Sequence, residues 1–255
     1  MFYDLRITQK NNLAEYFAAA TELGYSYVAV EHITTSRIGP ETDVTAELRK
    51  GIESGQVQVA PAIPLVSVLS PAHGQTRGSL HVLTRLTVQL HDKAQMHSFA
   101  TGTKALSAFD VVAVSPATED FFIRACESLD IDIISLDLSQ RISYNFHPKR
   151  VQLAISRGIM FEICYAHALA TDPNTVRCVI SNIVQLVRAT KGRNIIFSGS
   201  AASVFELRAP LDVANLGVVW GLKPEQAMAA VSENCRLALL HGETRRTHRG
   251  ALKLV

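Results

Sequence analysis

The 255-residue sequence is poor in the features that mark metal, redox and membrane proteins. Its four cysteines are widely spaced and include no Cys-x-x-Cys pair, so we expect reduced core thiols rather than a zinc knuckle or a redox dithiol. No apolar run approaches the ~20 residues of a membrane span, and no signal peptide is recognisable. The sequence therefore predicts an intracellular protein without a membrane partner.

Two glycine-based motifs are also missing. No Gly-x-Gly-x-x-Gly follows any predicted strand, which leaves a dinucleotide site without its usual support. Ser198-Gly-Ser200 is not the Gly-x-Ser-x-Gly turn of a serine hydrolase, so we expect no nucleophile there. The net charge of +2 is too small to argue for nucleic acid by itself. The apolar fraction of 47% indicates a folded protein with a sizeable core.

Short apolar runs alternate with amphipathic helical patterns along the chain. Runs such as Val111–Val114 are continuously apolar, as in parallel strands buried on both faces. The predicted strands are Phe2–Arg6, Tyr27–Glu31, Leu80–Leu90, Asp110–Ser115, Asp132–Leu136, Ile159–Cys164 and Asn194–Ser198, with a possible short eighth near Val204–Leu207. Repeated βα units over about 250 residues favour a closed barrel. The prediction is an α/β fold, a distorted TIM-like (β/α) barrel of about seven parallel strands.

We expect one barrel domain over residues 1–255, with a surface excursion around residues 34–79 and a basic C-terminal segment at 241–255. The region 34–79 is rich in Pro, Gly, Ser and Thr and is long for a structureless loop. No domain boundary is expected there, because strands on both sides are needed to complete one sheet.

Two helices bear on the function. Asp172 as N-cap, Pro173 in the first turn and Gly192 after the last turn predict the bounds of the best-defined helix. A final helix is predicted from Pro224 to Leu240, directly before an arginine-rich stretch.

The carboxyl ends of barrel strands line the functional face. At one such end Glu31 adjoins His32, and a carboxylate beside an imidazole can bind a metal. The segment Gly24–His32 resembles the second motif of the polymerase and histidinol phosphatase superfamily, metal-dependent phosphoesterases on a distorted barrel. The first motif of that family is Asp-x-His-x-His, but the matching positions here read Asp4-Leu-Arg6-Ile-Thr8. Arginine stays protonated and cannot ligate a divalent cation, so we expect the metal site to be lost.

Arginines concentrate in the last fifth of the chain. The stretch His241–Arg249 holds three arginines beside one glutamate. Guanidinium groups pair two phosphate oxygens at once, and few aromatics interleave them, which favours phosphate contacts to a folded RNA over base stacking. The predicted RNA-binding residues are Arg208, Arg236, Arg245 and Arg246, together with Arg85 and Arg193. The alternative for Arg236 is an ordinary solvated arginine.

The sequence as a whole resembles the thirty-kilodalton class of protein subunits of ribonuclease P and ribonuclease MRP. The resembling blocks cover nearly the whole chain except roughly residues 34–79, and the most specific are Asp212–Gly217 and Asn234–Arg245. The resemblance implies a barrel that is not an enzyme by itself and binds no cofactor. It implies RNase P RNA and MRP RNA as partners, with Mg²⁺ on the RNA, which carries the catalysis.

The same resemblance implies the reaction of the particle and its cellular location. The RNA would remove the 5′ leader of precursor tRNA, and MRP would process pre-rRNA. A small RRM-like subunit and other protein subunits would be partners, precursor tRNA would be contacted indirectly, and the location would be nuclear and nucleolar.

Two other functions stay open from the residues. One is a free-standing metal-dependent phosphoesterase that uses Asp4, Glu31, His32, Asp137 and Glu162. The other is a barrel that contacts only proteins. The first requires bound metal and turnover, whereas the second requires that salt-dependent RNA binding be absent.

Overall fold

A computed structural model describes residues 1–8, 13–35, 80–101, 103–142, 144–169, 172–201 and 203–247. Within these ranges seven parallel strands form one sheet in chain order. They are β1 (Tyr3–Thr8), β2 (Tyr27–Thr34), β3 (His81–Leu90), β4 (Val111–Pro116), β5 (Ile133–Ser135), β6 (Met160–Cys164) and β7 (Ile195–Ser198). Apart from its first two positions, the predicted surface excursion at 34–79 lies outside the described residues.

The two edge strands, β1 and β7, approach each other. After β7, the N–H of Gly199 donates to the Asp4 carboxylate at 2.9 Å, and the N–H of Ser200 donates to the carbonyl of Arg6 at 3.1 Å. These contacts bring the sheet into a nearly closed barrel. The predicted α/β, TIM-like fold and its seven strands are confirmed.

Helices follow most of the strands. In the described part of the chain they are α1 (Leu13–Glu22), α2 (Lys93–Thr101), α3 (Thr103–Ser107), α4 (Glu119–Glu127), α5 (Pro148–Ser156), α6 (Pro173–Thr190), α7 (Pro210–Val219), α8 (Pro224–Val231) and α9 (Glu233–Arg246). None of these helices is both long and apolar enough to span a bilayer.

The bounds of α6 are those predicted. The Asp172 side chain accepts hydrogen bonds from the N–H groups of Asn174 and Thr175, which satisfies two donors of the first turn. At the other end Lys191 and Gly192 have positive φ values of 56° and 70°, a left-handed termination.

Two predictions about the last third are wrong. Val204–Glu206 is a 3₁₀ turn rather than an eighth strand. Phe205 within this turn is 91% exposed, unlike a residue of a buried strand. The predicted helix Pro224–Leu240 is two helices, because the backbone at Ser232 leaves helical geometry with φ −134° and ψ −88°. Helix α9 then continues to Arg246, so the first part of the basic segment 241–255 is helical.

Helix α9 closes the amino-terminal opening of the barrel. Its buried residues Cys235, Ala238 and Leu239 share one apolar cluster with inward-facing strand residues such as Leu5 and Met160. Burying that apolar surface anchors the helix to the barrel. Three of the four cysteines are buried and all four are free thiols, as expected.

Candidate functional site

The carboxyl-terminal half of the barrel interior holds a network of charged side chains. Five strands contribute to it: Arg6 from β1, Glu31 from β2, Arg85 and Thr87 from β3, Ser135 from β5 and Glu162 from β6. Glu31, Arg85 and Glu162 are at most 2% exposed. Charges buried this deeply are stable only when they are paired and hydrogen-bonded.

Arg85 is the centre of this network. Its guanidinium forms a two-pronged ion pair with Glu162, in which Nη2 lies 2.7 Å from Oε2 and Nη1 bonds to Oε1. Nη1 also donates to the carbonyl oxygen of Leu5 at 2.8 Å, and Nε donates to Thr87 Oγ1 at 3.0 Å. Burial alone would raise the pKa of Glu162, but the charge and hydrogen bonds of Arg85, followed by Arg6, outweigh it and lower that pKa to about 2. Glu162 is therefore a carboxylate at neutral pH.

Arg6 provides the second cation. Its Nε donates to Glu31 at 3.0 Å, and its Nη1 donates to Ser135 Oγ at 2.8 Å and contacts Glu162 at 3.4 Å. Thr87 Oγ1 donates to the other oxygen of Glu31 at 2.6 Å. Two arginines thus neutralise two glutamates, and every carboxylate oxygen has a donor.

Asp4 lies beside the network and behaves differently. Its carboxylate accepts the N–H groups of Gly199 and Arg6 at 2.9 and 3.1 Å. Burial raises the pKa of Asp4 to about 7, and those two hydrogen bonds oppose the rise only in part. Asp4 therefore titrates in the neutral range in the folded chain.

The arrangement does not suit a divalent metal. The carboxylates of Glu31 and Glu162 are occupied by guanidinium groups, and a cation placed between them would face two positive charges. Asp137, another residue of the phosphoesterase hypothesis, is exposed and bonds to Ser139 instead. Over the described residues, no group of three His, Cys, Asp or Glu side chains is placed to hold a metal ion. Three of the five residues of the phosphoesterase hypothesis, Glu31, Glu162 and Asp137, are therefore bonded to other side chains.

Most of the arginines predicted to bind RNA have intramolecular partners. Arg85 is fully buried, so the prediction that it contacts RNA is wrong for the folded chain. The side chain of Arg245 is 5% exposed and donates to the Asp132 carboxylate and to the carbonyl oxygens of Leu106 and Phe109. Four of its five N–H donors are used in this way, so Arg245 does not fit an RNA contact either.

Arg246 and His241, like Arg245, bind α9 to the amino-terminal end of the barrel, which we call its base. Arg246 bonds to Asp110 at 2.7 Å and also to Glu243. The two ring nitrogens of His241 lie 2.7 Å from Asp132 Oδ1 and 3.1 Å from the carbonyl oxygen of Arg157. Both partners are acceptors, which favours the imidazolium form, and the hydrogen bond to Asp132 raises the pKa of His241 against the effect of burial.

The other predicted arginines are nearer the surface. Arg236 forms an i,i+3 pair with Glu233, whereas Arg208 donates to the backbone oxygens of Phe205 and Leu207. Arg193 is exposed and donates to the Gln152 side chain at 2.6 Å. These partners are separate from Asp132 and Asp110, which bind Arg245 and Arg246. They stay predictions as RNA contacts.

Sequence reasoning missed Asp132, which organises the base of the barrel. This residue is fully buried and accepts the N–H of Val112 at 2.8 Å in addition to His241 and Arg245. The available signal was its position directly before the buried strand Ile133–Ser135, where a carboxylate needs partners from elsewhere in the fold.

Comparison with known proteins gives a consistent result. Residues 1–247 match the model of the family described as RNase P subunit p30. Ribonuclease P protein subunit p30 of Mus musculus is 36% identical over 236 residues, covering 92% of this chain and 82% of its own length. A probable ribonuclease P protein subunit 3 of Schizosaccharomyces pombe is 36% identical over 199 residues, covering 78% of this chain and 81% of its own.

A similar fold occurs in a solved structure. A chain in the electron-microscopy structure of archaeal ribonuclease P with mature tRNA aligns with a TM-score of 0.71, covering 99% of this chain and 98% of that one. The sequence identity is 13%, so this likeness concerns the barrel fold alone.

Proposed function

This chain belongs to the RNase P subunit p30 family, and on that premise we propose that its barrel serves an RNA-based endoribonuclease as a structural subunit. The RNA of the ribonuclease P or MRP particle carries the catalysis, with Mg²⁺ on the RNA. The particle removes the 5′ leader of precursor tRNA and, as MRP, processes pre-rRNA.

One observation about the site carries this proposal. The barrel interior, where a metal-dependent hydrolase of this fold would hold its ions, contains two arginines paired with two glutamates. The pairs fix the strands around a hydrogen-bonded centre, and neither Glu31 nor Glu162 is free to bind a cation or activate water. The phosphoesterase alternative has no specific observation in its favour.

The partners follow from the same premise. They are RNase P RNA and MRP RNA, a small RRM-like subunit and further protein subunits, with precursor tRNA contacted through the particle. The expected location is the nucleus and nucleolus. Of the predicted arginine set, Arg208, Arg236 and Arg193 are our candidates for phosphate contacts, and Arg246 stays a prediction.

Purification of the particle through a tag on this chain tests the proposal. Sequencing of the co-purified RNA is expected to recover RNase P RNA and MRP RNA. The isolated chain, supplied with Mn²⁺ or Zn²⁺, is expected to give no turnover of a phosphate ester. Stoichiometric metal together with turnover that His32→Ala abolishes would overturn the proposal, and so would a particle without RNA.

A further inference from the structure

Residues 173–205 carry an unusual charge pattern. They contain the cations Arg177, Arg188, Lys191 and Arg193 and no aspartate or glutamate. Helix α6 occupies most of this range. The carboxylate of its N-cap residue, Asp172, accepts hydrogen bonds from the N–H groups of Asn174 and Thr175. Mixed charge is the usual pattern on an exposed helix face, so a face with one sign of charge indicates a charged partner.

The fold places the two helical cations on one line. Residues eleven positions apart differ by about 20° in angle and by about 16 Å along an α-helix, so Arg177 and Arg188 share a face. The opposite face is buried against the barrel through Val179, Ile183 and Leu186. Arg177 and Arg188 are both exposed.

The turn after α6 extends this line to the base of the barrel. Lys191 and Arg193 are exposed, and Gln152 of α5 holds the Arg193 guanidinium at 2.6 Å. The Gln226 side chain donates to the carbonyl oxygen of Lys191 at 3.0 Å and accepts the N–H of Lys223 at 3.1 Å. This amide therefore fixes exposed Lys223 beside the turn.

These five cations differ from the arginines of α9. Among the described residues none of the five forms an ion pair with a carboxylate, whereas Arg236, Arg245 and Arg246 all do. Cations that form no ion pair keep more of their charge available to an anionic partner. We name the group formed by Arg177, Arg188, Lys191, Arg193 and Lys223 the α6 ridge.

We propose that the α6 ridge binds the phosphate backbone of RNA. A line of single-sign charges over more than ~16 Å matches a polyanion that repeats its charge along its length. The exposed polar residues between the two helical arginines, Ser181 and Gln185, are neutral hydrogen-bonding groups that suit sugar and phosphate oxygens. The assignment rests on the proposed function for RNA as the partner, and it moves the contact surface from α9 to α6.

Salt-dependent binding tests this assignment on the full chain. The probe is an in vitro transcript of RNase P RNA from the same organism, titrated by fluorescence anisotropy at several NaCl concentrations. The ridge variant combines Arg177→Gln, Arg188→Gln and Lys191→Asn, with asparagine chosen because position 191 has a φ of 56°. A matched control removes three other exposed cations through Lys93→Asn, Arg124→Gln and Arg141→Gln.

The ridge variant is expected to flatten the slope of log K against log salt by roughly 2–3, from three lost phosphate contacts. The control should keep the slope of the unmodified chain, and equal thermal midpoints would show that both variants fold. If the unmodified chain binds with a steep slope that the ridge variant keeps, the α6 assignment is wrong while the proposed function stands. If the unmodified chain shows no salt-dependent binding, direct RNA contact by this subunit fails altogether.

Discussion

Arg85 illustrates how single residues define this barrel. Its side chain has no exposed surface and carries a full positive charge among strand residues, held by Glu162, Thr87 and the carbonyl oxygen of Leu5. Buried ion pairs contribute little net stability, but removing one partner leaves an uncompensated charge. The pair therefore fixes strand positions more than it adds free energy.

Arg85→Met is expected to lower the free energy of unfolding by ~3–5 kcal/mol, because Glu162 would keep its charge with only Arg6 nearby. Urea denaturation measures the change. The double variant Arg85→Met with Glu162→Met should recover much of the loss. Arg124→Met, on the exposed surface, should stay within about 0.5 kcal/mol of the parent. A loss for Arg85→Met as small as that of Arg124→Met would contradict the network's role.

Asp4 makes the stability of the fold depend on pH, and its buried environment determines the sign of that dependence. Its pKa is about 7 in the folded chain against 3.8 without the fold, so the folded state binds a proton that the unfolded state releases. The stability contributed by this group is complete below about pH 4 and is lost as pH rises through 7, at up to about 1.4 kcal/mol per pH unit.

Asp4→Asn removes this titration and should therefore flatten the stability curve relative to the parent between pH 5 and pH 8. Chemical denaturation at half-unit intervals measures both curves. The exposed carboxylate change Asp137→Asn serves as the control and should run parallel to the parent. Parallel curves for Asp4→Asn as well would mean that Asp4 is already ionised at pH 5.

At the scale of elements, α9 is the helix whose docking depends most on close approach. Gly242 lies on its buried side, and a Cβ there would overlap with the carbonyl oxygen of Asp110 and come within 3.2 Å of Asp132 Oδ2. The absent side chain thus lets the helix pass directly beneath the starts of β4 and β5.

Gly242→Ala is expected to destabilise the chain by about 1–3 kcal/mol, the usual range for overpacking. The sign of the stability change is diagnostic, because a glycine-to-alanine change in an exposed helix stabilises the protein by up to about 1 kcal/mol. Thermal and urea unfolding measure it, with Thr244→Ala on the exposed side of α9 as the control. An increase in stability for Gly242→Ala would show that α9 does not pack against the barrel as described.

Elements that depend on local patterns were predictable from the sequence. The strands follow from continuous apolar runs, and α6 follows from Asp172 and Gly192, whose effects extend over only a few residues. The break at Ser232 was not predicted, because the helical spacing of apolar residues continues through this position in the sequence.

At the scale of the molecule, the charged partners could not be read from the chain. Arg85 and Glu162 are 77 residues apart, and Arg245 and Asp132 are 113 apart, so only barrel closure brings each pair together. The expectation that Arg6 ligates no divalent cation did follow from the sequence, since that inference needs one position only. The sequence contained no indication that Arg245 and Arg246 would form ion pairs with Asp132 and Asp110.

The barrel thus has ion pairs in its polar interior and α9 across its amino-terminal opening. Among the described residues the α6 ridge forms no ion pair with a carboxylate. In this protein the charged groups that can bind a partner lie on the surface, whereas the charged groups of the interior bind one another and stabilise the fold. That distribution fits the structural role that we propose for this subunit.

The most direct test measures 5′-leader removal by a particle purified through this chain, before and after digestion with micrococcal nuclease. We expect cleavage of precursor tRNA that requires Mg²⁺, is lost on digestion and is unchanged when the chain carries His32→Ala with Asp137→Asn. Cleavage that survives complete digestion of the RNA, or that disappears with those two substitutions, would contradict the account and place the chemistry on the protein.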